Sequence, residues 1–172
     1  MAKNKDGGTA IEAEALQCLT FFMDEEEYAL ELLRVKEIME YREPTVVPMT
    51  PASVRGVINV RGSVVPIVDL AIKFGLADLT ISKRTCIIIV EVHLDGEDTS
   101  MGLVVDAVNE VRDFKADEIE DPPSFGTKVR VDYLKGMGRT TDKFALMLDI
   151  DKVLSDMELE AIKTVADDSE AE

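Results

Sequence analysis

Apolar residues in this chain come in short blocks that alternate with polar positions or run unbroken for up to five residues. Glycine, proline and acidic clusters separate the blocks, a rhythm that belongs to β-strands. It predicts a strand over Leu16–Met23, a turn at Asp24–Glu27 and a return strand over Tyr28–Leu32. Residues 34–41 fit either a strand or a short helical turn, and 43–51, with Pro44, Pro48 and Pro51, read as an extended connector. Arg55–Leu70 forms a hairpin around Arg61-Gly62-Ser63, where the glycine can supply a positive φ. Pro66 cannot donate to a ladder, so its strand should lie at an edge or open its pairing there. Asp69 is placed to cap a helical turn over Leu70–Phe74 that Gly75 ends. Further strands are predicted over Arg84–Val92, Met101–Val105, Val129–Leu134 and Lys143–Leu148, with turns at 94–98 and 122–126. A C-terminal helix capped by Asp149 or Asp151 should run to about Thr164, presenting Val153, Leu154, Met157 and Ile162. Many short strands joined by turns point to small barrels or a sandwich.

The strands repeat. Arg55-Gly56 and Lys135-Gly136 each open a segment in which an aspartate, Asp69 or Asp149, follows the basic residue by fourteen positions. Upstream stand Leu30–Ile38 and Leu103–Val111, both of the form Leu-x₄-Val-x-Glu-aliphatic. The copies are shifted by 73 residues upstream and 80 downstream, so the second half carries seven more residues between its phrases. Two copies in the same order indicate a duplicated β unit, with halves at approximately 15–80 and 81–160, between tails at 1–14 and 161–172.

The formal charge of −16 changes the picture of partners: it opposes binding to nucleic-acid phosphates or anionic membranes, and no basic patch offsets it. Aromatic residues make up 5% of the chain and Trp is absent, so aliphatic side chains must fill the interior. The most apolar run, Cys86–Val90, is far shorter than the roughly 20 residues of a spanning helix. With no apolar leader at the N-terminus, a cytoplasmic location is expected. Cys18 and Cys86 read as buried thiols.

No catalytic constellation is visible. His93 is the single histidine and flanks a predicted turn, and Asp69 and Asp149 are explained as caps. Phosphate-cradling, zinc and calcium patterns are missing, so no enzyme activity, cofactor or metal is expected.

The Arg55–Leu70 block, Val35-Lys36-Glu37-Ile38, Gly102–Asp106 and Tyr133–Gly138 together resemble the CheW-like family of chemotaxis adaptors, over roughly residues 15–160. With some fourteen residues before the module and a dozen after it, a stand-alone adaptor is expected, not a module within a kinase or receiver fusion. The resemblance implies an all-β fold of two five-stranded SH3-like barrels packed together, with short helical turns and a C-terminal helix. It implies two partners, the cytoplasmic tip of a methyl-accepting chemoreceptor and the regulatory domain of a CheA-type histidine kinase. It also implies a receptor-facing set: Val35, Glu37, Gly56, Arg61, Gly102, Val104 and Val108. Glu37 and Arg61 are expected to pair beside the receptor groove. For Gly56 and Gly102 a purely backbone role is an equal alternative, as is a core role for Val104 and Val108. A stand-alone peptide- or small-ligand-binding barrel outside chemotaxis is the alternative reading of the whole chain.

Overall fold

The computed structural model describes residues 15–76, 80–94, 96–122 and 131–154. Eleven strands follow one another: β1 (Leu16–Met23), β2 (Glu26–Glu31), β3 (Val35–Glu40), β4 (Val54–Val60), β5 (Ser63–Asp69), β6 (Cys86–Leu94), β7 (Glu97–Val105), β8 (Ala107–Phe114), β9 (Ile119–Glu120), β10 (Leu134–Arg139) and β11 (Phe144–Leu148). Two short helices, α1 (Leu70–Phe74) and α2 (Ile150–Val153), each follow a capping aspartate. Asp69 accepts from the amides of Ala71 and Ile72, and Gly75 ends α1 at φ 72°.

The strands form two sheets, β3-β6-β7-β5-β4 and β8-β1-β2-β11-β10-β9. They are the two expected SH3-like barrels, the second enlarged by the two-residue strand β9. Within the first sheet β5 runs parallel to β7 with Ile67 beside Gly102; within the second β11 runs parallel to β2 with Met147 beside Ala29. These pairs coincide under the shifts of 80 and 73 residues, and the β4–β5 and β10–β11 hairpins occupy matching places. The duplication is therefore a property of the fold. The halves of the repeat do not coincide with the barrels. The chain leaves the second sheet after β2 and returns to it at β8, so each half places strands in both sheets. The physical reason is that β2 and β7, each paired antiparallel with its predecessor, serve as the partner for a hairpin from the other half.

Because successive side chains of a strand point to opposite faces, each sheet has two apolar faces to cover. In β6, Ile87 and Ile89 enter the first barrel with Ile58, Val65, Ile67 and Val104, whereas Ile88, Val90 and Val92 face the layer between the sheets. In β1, Cys18 enters the second barrel with Ala29, Phe114, Ala145 and Met147, whereas Leu19, Phe21 and Met23 join the same central layer. Phe74 of α1 crosses that layer, 6.1 Å from the ring of Tyr28 and 5.7 Å from that of Tyr133.

Several local readings need correction. β8 has no counterpart among the predicted strands: Asn109, Glu110, Arg112 and Asp113 mask it as polar, a composition that an edge strand with one free side tolerates. Val131–Tyr133 is a 3-10 turn, not strand, and β10 starts at Leu134. The open choice at 34–41 resolves as a 3-10 turn over Leu32–Arg34 followed by β3. Pro66 lies in an inner strand, but the ladder from β5 to β7 begins one residue later at Ile67, so pairing does open at the proline. Cys18 is buried, and burial pushes its thiol up to about 12, while Cys86 is half-buried. The tails and the part of the predicted C-terminal helix beyond residue 154 lie outside the described residues.

Gly56 shows how tightly the signature is built. Its φ is 143°, and a Cβ there would lie 2.1 Å from the carbonyl oxygen of Thr45, a residue bonded by both backbone groups to Val57. A backbone oxygen held in that two-bond bridge cannot rotate away, so Gly56→Ala is expected to lower unfolding free energy by at least about 2 kcal/mol. Urea unfolding with an unchanged m-value would measure it; wild-type stability would refute the crowding.

Candidate functional site

β3 and β4 are the two edges of the first sheet, and no ladder joins them. Side chains close this seam instead. The β4–β5 turn puts Arg61 and Gly62 at its centre, both at positive φ (51° and 86°), as the favoured two-residue hairpin requires. The Gly62 amide donates to Asn59 Oδ1, and the turn holds Arg61 over β3. There Arg61 Nη1 and Nη2 donate to Glu37 Oε1 and Oε2 at 2.6 and 3.0 Å, a two-point bridge across the seam. Arg42 Nη2 adds a bond to the Asn59 carbonyl at 2.9 Å. Along the seam lies a hollow of about 570 Å³ lined by Glu37, Met39, Glu40, Tyr41, Arg42, Asn59, Val60 and Arg61. A second hollow, of about 270 Å³, meets the bridge from the other side.

The base of the same hairpin is held by a second ion pair. Asp69 is almost wholly buried and, besides capping α1, accepts from Arg55 Nε at 3.1 Å. Arg55 Nη1 donates to the Tyr41 hydroxyl, and its guanidinium lies 5.9 Å from the centre of that ring. The fourteen-residue spacing is thus the length of a hairpin whose base is clamped by its first and last residues. In the second copy the basic residue turns elsewhere: Lys135 pairs with Glu31, and Asp149 only caps α2.

Of the seven residues carried over from the resemblance, Glu37 and Arg61 meet. Val35 and Val108 are half-buried at matching positions of the edge strands β3 and β8, each against the central layer. Val104 is 1% exposed inside the first barrel, which corrects its assignment as a groove contact. The position that a Cβ would take at Gly102 is filled by Ile67 and Ile87, and that at Gly56 by Thr45. At both glycines a side chain would collide first with atoms of the chain itself. The apolar side chains that do reach solvent on the edges are Ile38 and Val111, at 43% and 51% exposure. They end the two copies of the Leu-x₄-Val-x-Glu-aliphatic phrase, which was the available signal for them.

The bridge exists in only one barrel. Glu110 stands where Glu37 stands in the other copy, but Thr141 takes the place of Arg61, and Glu110 pairs with Arg112 on its own strand. Arg61 holds the Glu37 carboxyl below the usual glutamate range, and Glu37 raises the guanidinium in turn. Nothing in this arrangement supplies a nucleophile with its base. Among the described residues no group of three or more His, Cys, Asp or Glu side chains could hold a metal ion.

Residues 17–158 match the family described as the CheW-like domain. A chemotaxis protein CheW from Klebsiella aerogenes is 34% identical over 86% of this chain and 87% of its own length. One from Treponema pallidum is 29% identical over 89% of this chain and 90% of its own. Among solved structures, the crystal structure of the scaffolding protein TtCheW from Thermoanaerobacter tengcongensis superposes with a TM-score of 0.72 at 32% identity, covering 81% of this chain and 92% of that one.

The lowered pKa of Glu37 has a sign that can be checked. A carboxyl held down in the folded state keeps its charge, and the bridge, throughout neutral pH, and loses them only as pH falls through the lowered value. The Glu37 carboxyl should therefore titrate by NMR with a midpoint below 4.5 in the wild type. Arg61→Gln should bring that midpoint back up. Identical midpoints would mean that the bridge does not persist in solution.

Proposed function

This chain belongs to the CheW-like family, and from that membership we propose that it is a chemotaxis adaptor that couples the cytoplasmic tips of chemoreceptors to a CheA-type histidine kinase. The observation that carries the receptor-facing assignment is the Glu37–Arg61 bridge. An exposed ion pair contributes only about 0–1 kcal/mol to stability, so holding two long side chains across an open seam serves a surface better than a fold. The seam lies between edge strands, where a helical partner can lie against apolar and charged groups together.

Both partners are proteins, in keeping with a charge of −16. No helix among the described residues is long and apolar enough to cross a membrane. From the family membership, the adaptor sits on the cytoplasmic side of the receptor array, held there through its partners. A ligand-binding barrel is disfavoured by the barrel interiors, which Ile58, Val65, Ile67 and Ile87 fill on one side and Phe114, Ala145 and Met147 on the other. The role is that of a scaffold, with no catalytic step.

Arg61→Asp sets two acids against each other across the seam. Receptor-fragment binding and receptor-dependent kinase activation should both fall at least about tenfold, since like charges placed opposite each other cost more than a lost pair. The far-ultraviolet circular dichroism should stay that of the wild type, because a substitution at an exposed turn shifts stability by about 0.5 kcal/mol or less. Wild-type affinity in the folded variant would remove Arg61 from the receptor face.

A further inference from the structure

The pairing of β3 with β6 slips between Val35 and Glu37: Val35 faces Val90, Glu37 faces Ile89, and Lys36 is the extra residue of a bulge. A bulge re-aims the side chain it carries. Here the Lys36 side chain reaches Ser100 of β7, with Nζ 3.0 Å from Oγ. It then lines the smaller hollow together with Glu37, Arg61, Ser63 and Ser100. Glu37 is already engaged by Arg61 at both oxygens. Among the described residues no carboxylate lies within ion-pair distance of Lys36. The hollow therefore offers an ammonium group and two hydroxyls beside a neutralised ion pair, on a chain that carries sixteen more negative than positive groups.

The duplicated half provides an internal control. Its edge strand β8 slips at the matching place, and Asn109 occupies the position of Lys36. Asn109 Nδ2 donates to Glu27 Oε2 at 3.0 Å, and Glu27 is the residue that corresponds to Ser100. One bulge thus presents a cation on a hydroxyl; its twin presents an anion on an amide. The backbone is shared and the sign of the charge is opposite.

We propose that the Lys36 bulge is a carboxylate-accepting subsite, which takes an aspartate or glutamate side chain from the helical receptor tip bound along the seam. Ser63 and Ser100 add hydroxyl donors, and Lys36 retains two ammonium hydrogens beyond the one shared with Ser100. The reversed charge at Asn109 and Glu27 lets the partner distinguish two faces that the fold makes alike, because an acidic group is attracted to one and repelled by the other. The assignment rests on the receptor-facing reading of the Glu37–Arg61 seam and adds to it the chemistry of the recognised group.

The test uses the full chain and a chemoreceptor cytoplasmic fragment, with carbodiimide cross-linking, which joins an amine only to a carboxylate in direct contact. Mass spectrometry should find Lys36 joined to an aspartate or glutamate of the fragment. In titrations, Lys36→Met should weaken binding about two- to fivefold and flatten its salt dependence, as loss of one exposed ion pair does. Lys36→Glu should weaken it about tenfold or more. Glu27→Lys, at the twin bulge, should not weaken it. A Lys36→Glu variant that binds like wild type, or a complex in which Lys36 joins no receptor carboxylate, overturns the subsite and leaves the adaptor role standing. A Lys36 cross-link to the kinase regulatory domain alone also overturns it. Wild-type protein that binds the kinase domain but not the receptor fragment overturns the receptor face itself.

Discussion

Everything in this molecule depends on the apolar layer between its two sheets. A β-sheet has two faces, and a barrel of five short strands can cover only one of them. Leu19, Phe21, Ile88, Val90, Val68 and Leu148 all point away from their own barrel interiors and find cover only against the opposite sheet. Neither barrel could stand alone without exposing that face to water. The chain path enforces the same dependence, since β2 and β7 each pair with a hairpin from the other half of the chain. Phe74 adds a lock by placing the helix that follows one barrel between two tyrosines of the other, at ring distances that favour offset aromatic contact.

On this near-symmetric frame, the proposed receptor face sits where the symmetry breaks. The two copies keep the backbone devices: a glycine near the start of each hairpin's first strand, a bulge in the edge strands β3 and β8 and a capping aspartate after each hairpin. They differ in the groups placed on them. Arg61 faces Glu37 in one copy, whereas Thr141 leaves Glu110 to Arg112 in the other. Arg55 closes its hairpin on Asp69, whereas Lys135 reaches across to Glu31. A duplicated framework supplies stability twice, and a partner that must bind one way round needs the copies to be chemically unlike.

The energetic roles of the two charged pairs separate in the same way. Asp69 is buried, anchors two helix amides and accepts from Arg55, so losing it would strand polar groups in the interior. Arg61 is three-quarters exposed, and its bridge is solvated. The first pair holds the hairpin in shape; the second sets what that hairpin shows at the surface.

Local sequence by itself determined most of the elements and the existence of two copies. β1 runs over Leu16–Met23 as the alternation predicted, α1 spans Leu70–Phe74 between its aspartate and glycine, and the fourteen-residue spacing marked both hairpins. Those features depend on turn chemistry, capping and side-chain period, which act over a few residues. The pairing of Glu37 with Arg61 was legible through the family resemblance, and the turn geometry explains it. Tertiary structure alone decided which strands share a sheet, because sheet order is a contest among long-range pairings that local pattern does not rank. It also decided that Val104 and Gly102 face inward, since an unbroken apolar run gives no sign of which face meets solvent and which the core. The aim of Lys36 was decided by a one-residue slip against β6, a fact of register between strands some fifty residues apart.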